Sequence, residues 1–343
     1  MPTQKRISRR TFVKGAIAFA AVSAAGAAGC SSSGTQEGSS EEETVAASII
    51  VGTMPTEDLL PLWVAEAEGL FAEHGIEVTI EAFDSAQNLS AAITAGEVDL
   101  AMTDPMRAVK LCESGTMVSM EWVTLGTTAE QGRFGVMTSP DSGIASLADL
   151  VGCELGVGVG ANTVPEYVFE KLCEQEGLDV AGIPTSEVAS LPERYTLMAE
   201  GSLDAAALPG SMLALGEVSG MVLLADDSTG DNISQSVMVA REAFKEGGSG
   251  KIAALRGAWD DGATLVNADP ESYRSLLAEK ANLNEAVIDT YPISEYPLSL
   301  DESGGEVFPE AALIEPQIEW MVAKGYSDGS VTYNEADGTF TVA

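Results

Sequence analysis

Four predicted helix starts carry side chains that could do binding chemistry. Thr163-Val-Pro-Glu166 and Ser190-Leu-Pro-Glu193 fit the capping box, a Ser or Thr followed three residues later by Glu. Asp84-Ser-Ala-Gln87 is a looser version, and Thr56 is followed by Glu57 and Asp58. The start of a helix is electropositive and attracts anions, but an acid in the first turn competes with a bound anion for that end. Asp104, just beyond the apolar run Val98 to Met102, adds another carboxylate, while Arg107, Arg133 and Arg194 are the only arginines near such loops. Loops lined this way disfavour an inorganic oxyanion and favour a neutral or amine-bearing organic solute, pyrimidine-like solutes included, with a sulfonate as the lesser alternative. The alternative is that the acids serve only as caps.

Other chemistries find little support. Gly156-Val-Gly-Val-Gly-Ala-Asn-Thr-Val-Pro-Glu166 lies between a predicted strand and a helix, but its glycines miss the G-x-G-x-x-G spacing of a dinucleotide loop. It reads as a ligand-facing loop whose glycines let backbone N–H groups approach a solute, or as plain turn chemistry. His74 is the single histidine, so a His-cluster metal site is excluded, and a Ser-His-Asp triad would depend on this one residue beside Gly75. No metal and no cofactor are expected, nor an enzyme. Of the cysteines beyond Cys30, a bond between Cys153 and Cys173 fits the two ends of a βα unit; buried thiols are the alternative for these and for Cys112.

The elements that position these residues show an internal echo. Ile93-Thr-Ala-Gly-Glu-Val-Asp-Leu-Ala-Met-Thr-Asp-Pro105 reads as a helix end, a glycine C-cap, a buried strand and a loop. Leu197-Met-Ala-Glu-Gly-Ser-Leu-Asp-Ala-Ala-Ala-Leu-Pro209 repeats it, Gly96 matching Gly201 and Asp99 matching Asp204. Two such units imply two similar lobes. Ligands sit beyond the carboxyl ends of strands in open α/β sheets, so both units would face one cleft. Further strands are expected at 47–52, 76–80, 123–125, 134–138, 154–159, 186–189, 221–224 and 236–240. Helices are expected at 60–71, 251–267, 270–281, 284–290 and 309–324, with a surface turn and tail after them. Trp63 and Phe71 fit a core face, and Trp122 fits either core or cleft.

The 343 residues carry 53 acids and 17 bases, a formal net charge of −36, which excludes nucleic-acid binding and predicts a self-repelling monomer. Five of the bases lie in the first fourteen residues, where there is no acid. Ser8-Arg9-Arg10-Thr11-Phe12-Val13-Lys14 resembles a twin-arginine export motif, followed by a weakly apolar Ala/Gly/Ser run to Gly29. Ala27-Ala28-Gly29-Cys30 resembles a bacterial lipobox, with Ala27 where leucine is usual. Residues 1–29 are therefore expected to be a removable signal. Lipidated Cys30 would open a Ser/Gly/Glu-rich tether to residue 44, holding the protein outside the cytoplasm on the cell membrane.

Three stretches carry a family resemblance. Pro61-Leu-Trp-Val-Ala-Glu-Ala-Glu-Gly-Leu-Phe-Ala-Glu-His-Gly-Ile-Glu-Val78 resembles the first helix of ABC-transporter solute-binding proteins of the sulfonate, nitrate and thiamine-precursor pyrimidine branch. Ala-Gly-Glu-Val-Asp-Leu-Ala101 is similar to that branch's next signature, and Ser146-Leu-Ala-Asp-Leu-Val-Gly-Cys-Glu-Leu-Gly-Val-Gly-Val159 resembles its entry into the second lobe. The resemblance implies a type II periplasmic binding fold: two α/β lobes joined by two crossing strands, with mostly helical C-terminal residues. Lobe 1 would take residues 45–137 and 238–343, and lobe 2 residues 138–237. It further implies a small-molecule solute captured by hinge closure and delivered to an ABC permease. Expected ligand contacts are Met54, Thr56, Phe83, Asp84, Thr103, Asp104 and Thr128 in lobe 1. In lobe 2 they are Asn162, Thr163, Arg194, Pro209, Gly210 and Ser211. A pyrimidine-synthesising enzyme of related fold needs a His and a Cys-rich segment; here the cysteines are scattered. An enzyme of cofactor biosynthesis, or a receptor for a signalling partner, is the alternative function.

Overall fold

The computed structural model describes residues 47–131, 134–158, 164–188, 190–229 and 232–343. The export motif at Arg9 and Arg10, the lipobox Cys30, the tether and the loop residues Asn162 and Thr163 lie outside the described residues, as does Arg133.

The apolar run at the start of the described chain is β1 (Ala47–Thr53), followed by α1 (Leu60–Glu68), α2 (Leu70–Glu73) and β2 (Ile76–Ala82). The single helix expected at 60–71 is two, because Gly69 takes a left-handed φ of 79° and its N–H closes back onto Ala65 and Glu66. α3 (Ala86–Ala95), β3 (Leu100–Thr103), α4 (Pro105–Glu113) and β4 (Val118–Leu125) complete the first βα series. The chain then crosses into a second series: β5 (Phe134–Thr138), β6 (Leu155–Val157), α5 (Val164–Gln175), β7 (Thr185–Glu187), α6 (Leu191–Ala199), β8 (Ala205–Pro209), α7 (Gly210–Val218) and β9 (Val222–Asp226). It returns as β10 (Ser236–Arg241) and continues as α8 (Glu242–Ala268), α9 (Arg274–Lys280), α10 (Ala311–Ala323) and the hairpin β11 (Val331–Asn334) and β12 (Thr339–Val342).

Two five-stranded sheets result, ordered β2-β1-β3-β10-β4 and β7-β6-β8-β5-β9. In the first, β10 runs antiparallel to β3 and β4; in the second, β5 runs antiparallel to β8 and β9. Each sheet thus keeps its remaining strands parallel and points their carboxyl ends one way. The echo is structural: Gly96 and Gly201 are both left-handed, at φ 76° and 73°. Asp99 accepts from the Ile50 N–H at 3.0 Å, and Asp204 accepts from the Glu154 N–H at 2.7 Å.

α8 starts nine residues before the expected Lys251, continuing through Gly247, Gly248 and Gly250. It packs along α1, and Gly262 allows this, since a Cβ there would lie 2.1 Å from the Pro61 carbonyl oxygen. The helix expected at 284–290 does not form. Asn282 is left-handed at φ 52°, and the Asn284 side chain takes the Ala286 N–H at 3.0 Å, leaving a series of turns. The expected tail is the β11–β12 hairpin instead, whose Gly338 carbonyl accepts the Met120 N–H of β4 at 2.8 Å.

Trp122 is core, fully buried with its ring centroid 6.0 Å from that of Trp259. Arg256, also fully buried, stacks between Trp122 and Phe308 at 5.1 and 5.2 Å. It donates to Glu121 at 3.1 Å, and Lys245 and Ser119 donate to the same carboxylate at 3.0 and 2.6 Å. The sulfur question also resolves: Cys112, Cys153 and Cys173 are all free, and burial pushes the Cys112 and Cys173 thiols up to about 11. Among the described residues no helix is long and apolar enough to cross a membrane.

Removing one partner of a buried ion pair strands the other charge, at a cost of about 3–5 kcal/mol. Glu121→Ala is therefore expected to lower the unfolding free energy by about that much in urea titrations, and Glu121→Gln by less, because the amide oxygen still accepts.

Candidate functional site

The strand ends gather the predicted residues on one side of each sheet. Met54 and Thr56 follow β1, Phe83 and Asp84 follow β2, Thr103 and Asp104 close β3, and Thr128 follows β4. Pro209, Gly210 and Ser211 form the junction of β8 and α7. A pocket of about 30 Å³ joins the two lobes there. Its lining comes from four places: Glu57 after β1, Glu130 on the crossing segment, Gly210 and Ala214 on α7, and Tyr291, Pro292 and Ser294 beyond α9. Gly210 is the predicted residue this pocket brings into place. A wider groove of about 320 Å³ between α5 and Trp320 lies away from these strand ends.

Glu57 is the acid of the pocket. Tyr291 donates its hydroxyl to the Glu57 carboxylate at 2.6 Å, and the Tyr296 hydroxyl donates to the Glu57 carbonyl at 2.8 Å. Burial pushes the carboxyl up to about 7, neighbouring Asp58 adds to the rise, and the Tyr291 hydroxyl opposes it. Among the described residues no cationic side chain lies within ion-pair distance of Glu57. Glu130, exposed, is held below the usual carboxylate range by the Thr128 hydroxyl. Nothing in local sequence separates Glu57 from a first-turn capping acid; what distinguishes it is Tyr291, more than two hundred residues away.

Several predicted residues have other work. Asp104 is the N-cap of α4, accepting the Arg107 N–H at 2.8 Å; burial raises its carboxyl, with the Arg107 charge opposing. It is half-buried at the end of β3. The α3 cap is Ser85, which accepts the Asn88 N–H at 3.2 Å, so Asp84 is an exposed neighbour and not the cap. Thr56 occupies a cap position without capping, and its hydroxyl is buried with no partner. Ser190 caps α6 as its sequence implies, accepting the Glu193 N–H. Arg194 is turned inward: 2% exposed, it donates to the Val188 carbonyl at 3.1 and 2.7 Å and to the Ala207 carbonyl at 2.8 Å. It ties the end of β7 to the middle of β8, and burial lowers its guanidinium to about 10. Met54 and Phe83 pack half-buried on the core, and Thr103 is 9% exposed.

The crossing segments are also tied. The Gly126 carbonyl accepts from the side chains of Asn232 and Gln235, the latter at 3.0 Å. Asp227, 2% exposed, accepts the Phe134 N–H and the Ser234 hydroxyl, each at 2.6 Å. Burial pushes this carboxyl up to about 6, with Asp226 adding to the rise.

Two lobes with this strand order match solved periplasmic binding proteins. The aliphatic sulphonate binding protein SsuA of Escherichia coli superposes with a TM-score of 0.65 at 16% identity, covering 86% of this chain and 92% of that one. The alkanesulfonate-binding SsuA of Xanthomonas axonopodis pv. citri, bound to MOPS, gives 0.65 at 17% identity over 81% and 93%. The nitrate-binding NrtA of Synechocystis PCC 6803 gives 0.63 at 11% identity over 83% of each chain. At such identities the likeness shows the fold. No curated protein sequence matches the chain. The NMT1/THI5-like family profile, however, matches residues 56–273, a stretch running from the turn that carries Glu57 to the start of α9. The chain belongs to the NMT1/THI5-like family.

Proposed function

We propose that this protein is the solute-binding component of an ABC importer, exported through the Arg9-Arg10 motif and anchored by lipid on Cys30, which captures a small organic solute carrying a protonated amine. The fold supports capture by closure: ligand contacts made to both lobes at once stabilise the closed form, which a permease then engages. The relatives above are named for sulfonates and nitrate. The observation that carries a different ligand charge is the pocket between the lobes, whose lining holds two carboxyl groups, Glu57 and Glu130, and no basic side chain. An oxyanion placed there would meet like charge with no cation in the lining, whereas an amine would be attracted. An aminopyrimidine, whose exocyclic amino group is uncharged at neutral pH, would meet the same carboxylates as a neutral hydrogen-bond donor. The rival reading, an enzyme of cofactor biosynthesis on this fold, is separated by incubation with pyrimidine precursors: turnover supports the enzyme, and binding without turnover supports the receptor.

A thermal-shift and calorimetric panel of amines, aminopyrimidines, sulfonates and nitrate tests the ligand class. Amine-bearing solutes are expected to stabilise the protein; tight binding of sulfonate or nitrate alone would overturn the reading. Glu57→Gln should weaken an amine by about 1.5–3 kcal/mol, the worth of a hydrogen bond to a charged group. The pH dependence has a definite sign. Glu57 must be ionised to attract the amine, so wild-type affinity should rise as pH passes upward through about 7. In the free protein the raised carboxyl favours folding only while protonated. That contribution is present below the ordinary value of 4.5 and is lost as pH rises through about 7, so Glu57→Gln should gain stability relative to wild type over that window.

Asp104→Ala is expected to lose about 0.5–2 kcal/mol of stability with its helix cap. If Asp104 also touches the ligand, amine affinity falls in the same calorimetry; unchanged affinity leaves it as a cap alone.

A further inference from the structure

The hinge of a two-lobed protein is usually counted as its crossing segments, here 126–134 and 227–236. This chain has a third link, made without covalent continuity. α10 and the residues after it are fastened to lobe 1: α10 packs on α4, Lys110 donates to the Tyr326 carbonyl at 2.8 Å, and Glu113 holds the Ser327 hydroxyl and the Asp328 N–H. The Met120–Gly338 bond fixes the following hairpin to β4. The other face of this same segment grips lobe 2. Tyr326 donates its hydroxyl to Glu166 at 2.8 Å, Trp320 donates its indole N–H to Glu170 at 2.8 Å, and Lys324 pairs with the same Glu170 carboxylate. The Tyr167 ring meets Trp320 edge-on at 5.3 Å, and Trp320 meets Tyr326 edge-on at 5.5 Å. Glu166, Tyr167 and Glu170 all belong to α5, which packs on β5 and β8 of the second sheet.

We infer that the Trp320–Tyr326 segment is a clamp that sets the angle between the lobes in the ligand-free protein. Any rotation of lobe 2 on lobe 1 must shear these contacts or pull the segment off α4. Three directional polar bonds and the edge-on Tyr167–Trp320 pair resist such sliding in a way that a flat apolar contact does not, and the Trp320–Tyr326 pair stiffens the segment that makes them. The clamp closes over the partly buried face of α5 that carries Tyr167, and it shares no residue with the Glu57 pocket, so it acts without the ligand. By weighting one lobe angle it sets the fraction of molecules competent to bind, and with it the apparent affinity. It also lies beyond residue 273, outside the stretch matched by the family profile.

The test reads lobe geometry without any solute. Nitroxide labels at Glu77→Cys on β2 and Thr185→Cys on β7, with Cys30 and Cys153 replaced by Ser, report the distance between the outer strands of the two sheets by pulsed electron resonance. Lys324→Ala/Tyr326→Phe removes two polar grips and keeps the ring packing, and a thermal melt by circular dichroism checks that the fold is intact. The double variant is expected to broaden and displace the distance distribution. Lys280→Ala serves as control, since it removes a similarly exposed lysine whose ion pair, Lys280–Glu66, lies within lobe 1. A wild-type distribution in a folded double variant overturns the clamp, and so does an equal displacement in Lys280→Ala. Because no ligand enters the experiment, its failure leaves the amine reading standing, and failure of the amine panel leaves the clamp standing.

Discussion

Each sheet of this protein depends on one aspartate that fastens two strands at the end away from the cleft. Asp99 and Ile50 exchange two bonds, the Asp99 N–H to the Ile50 carbonyl at 2.8 Å and the Ile50 N–H to the Asp99 carboxylate. Asp204 and Glu154 do the same in the second sheet. A buried parallel strand has no hairpin to fix its register, so a one-residue slip would invert which side chains face the core. The aspartate prevents that slip where β3 or β8 begins. With both registers fixed, the opposite strand ends arrive at predetermined positions, and the loops that carry the candidate site start there. Arg241 reinforces the first clasp by donating to Asp99 at 3.1 Å and to the Val98 carbonyl at 2.7 Å.

That clasp is why so much of the fold was legible. Gly-x-x-Asp followed by an apolar run encodes helix stop, clasp and strand within a few residues, and its recurrence at 96–102 and 201–208 announces two lobes. β5 falls where its apolar run ends, and β10 runs one residue further, through Arg241. Legibility fails where distant contacts decide. Asn284–Thr290 has helical composition, but side-chain competition from Asn284 wins over propensity. α8 overrides three closely spaced glycines because its packing against α1 compensates for their weak propensity. The hairpin at 331–342 reads as tail until its partner, the backbone of β4, is known.

Where the candidate residues fall along the strands was more legible than what each side chain does. Strand-end logic pointed to Gly210 and to the loop beside Glu57, which do meet. It could not rank the acids, because Glu57, Asp58 and Asp84 look alike in sequence. Burial, a tyrosine from beyond α9 and the approach of α7 separate Glu57 from the others. Arg194 illustrates the reverse error: a cation near a cleft loop suggests ligand contact, yet three bonds to backbone carbonyls turn it into a brace between β7 and β8.

The hairpin's bond to β4 has a consequence for the protein as a population of molecules. β4 is the outermost strand of the first sheet, and an outermost strand with unmet backbone groups is a template on which another chain can add. Gly338 takes one of those groups, Met120 N–H, and approaches so closely that a Cβ there would lie 2.0 Å from the Met120 carbonyl oxygen. The position is thus closed to incoming strands by the chain itself. Wherever copies meet edge to edge, this seal and the negative charge they share both oppose the addition of one sheet to another.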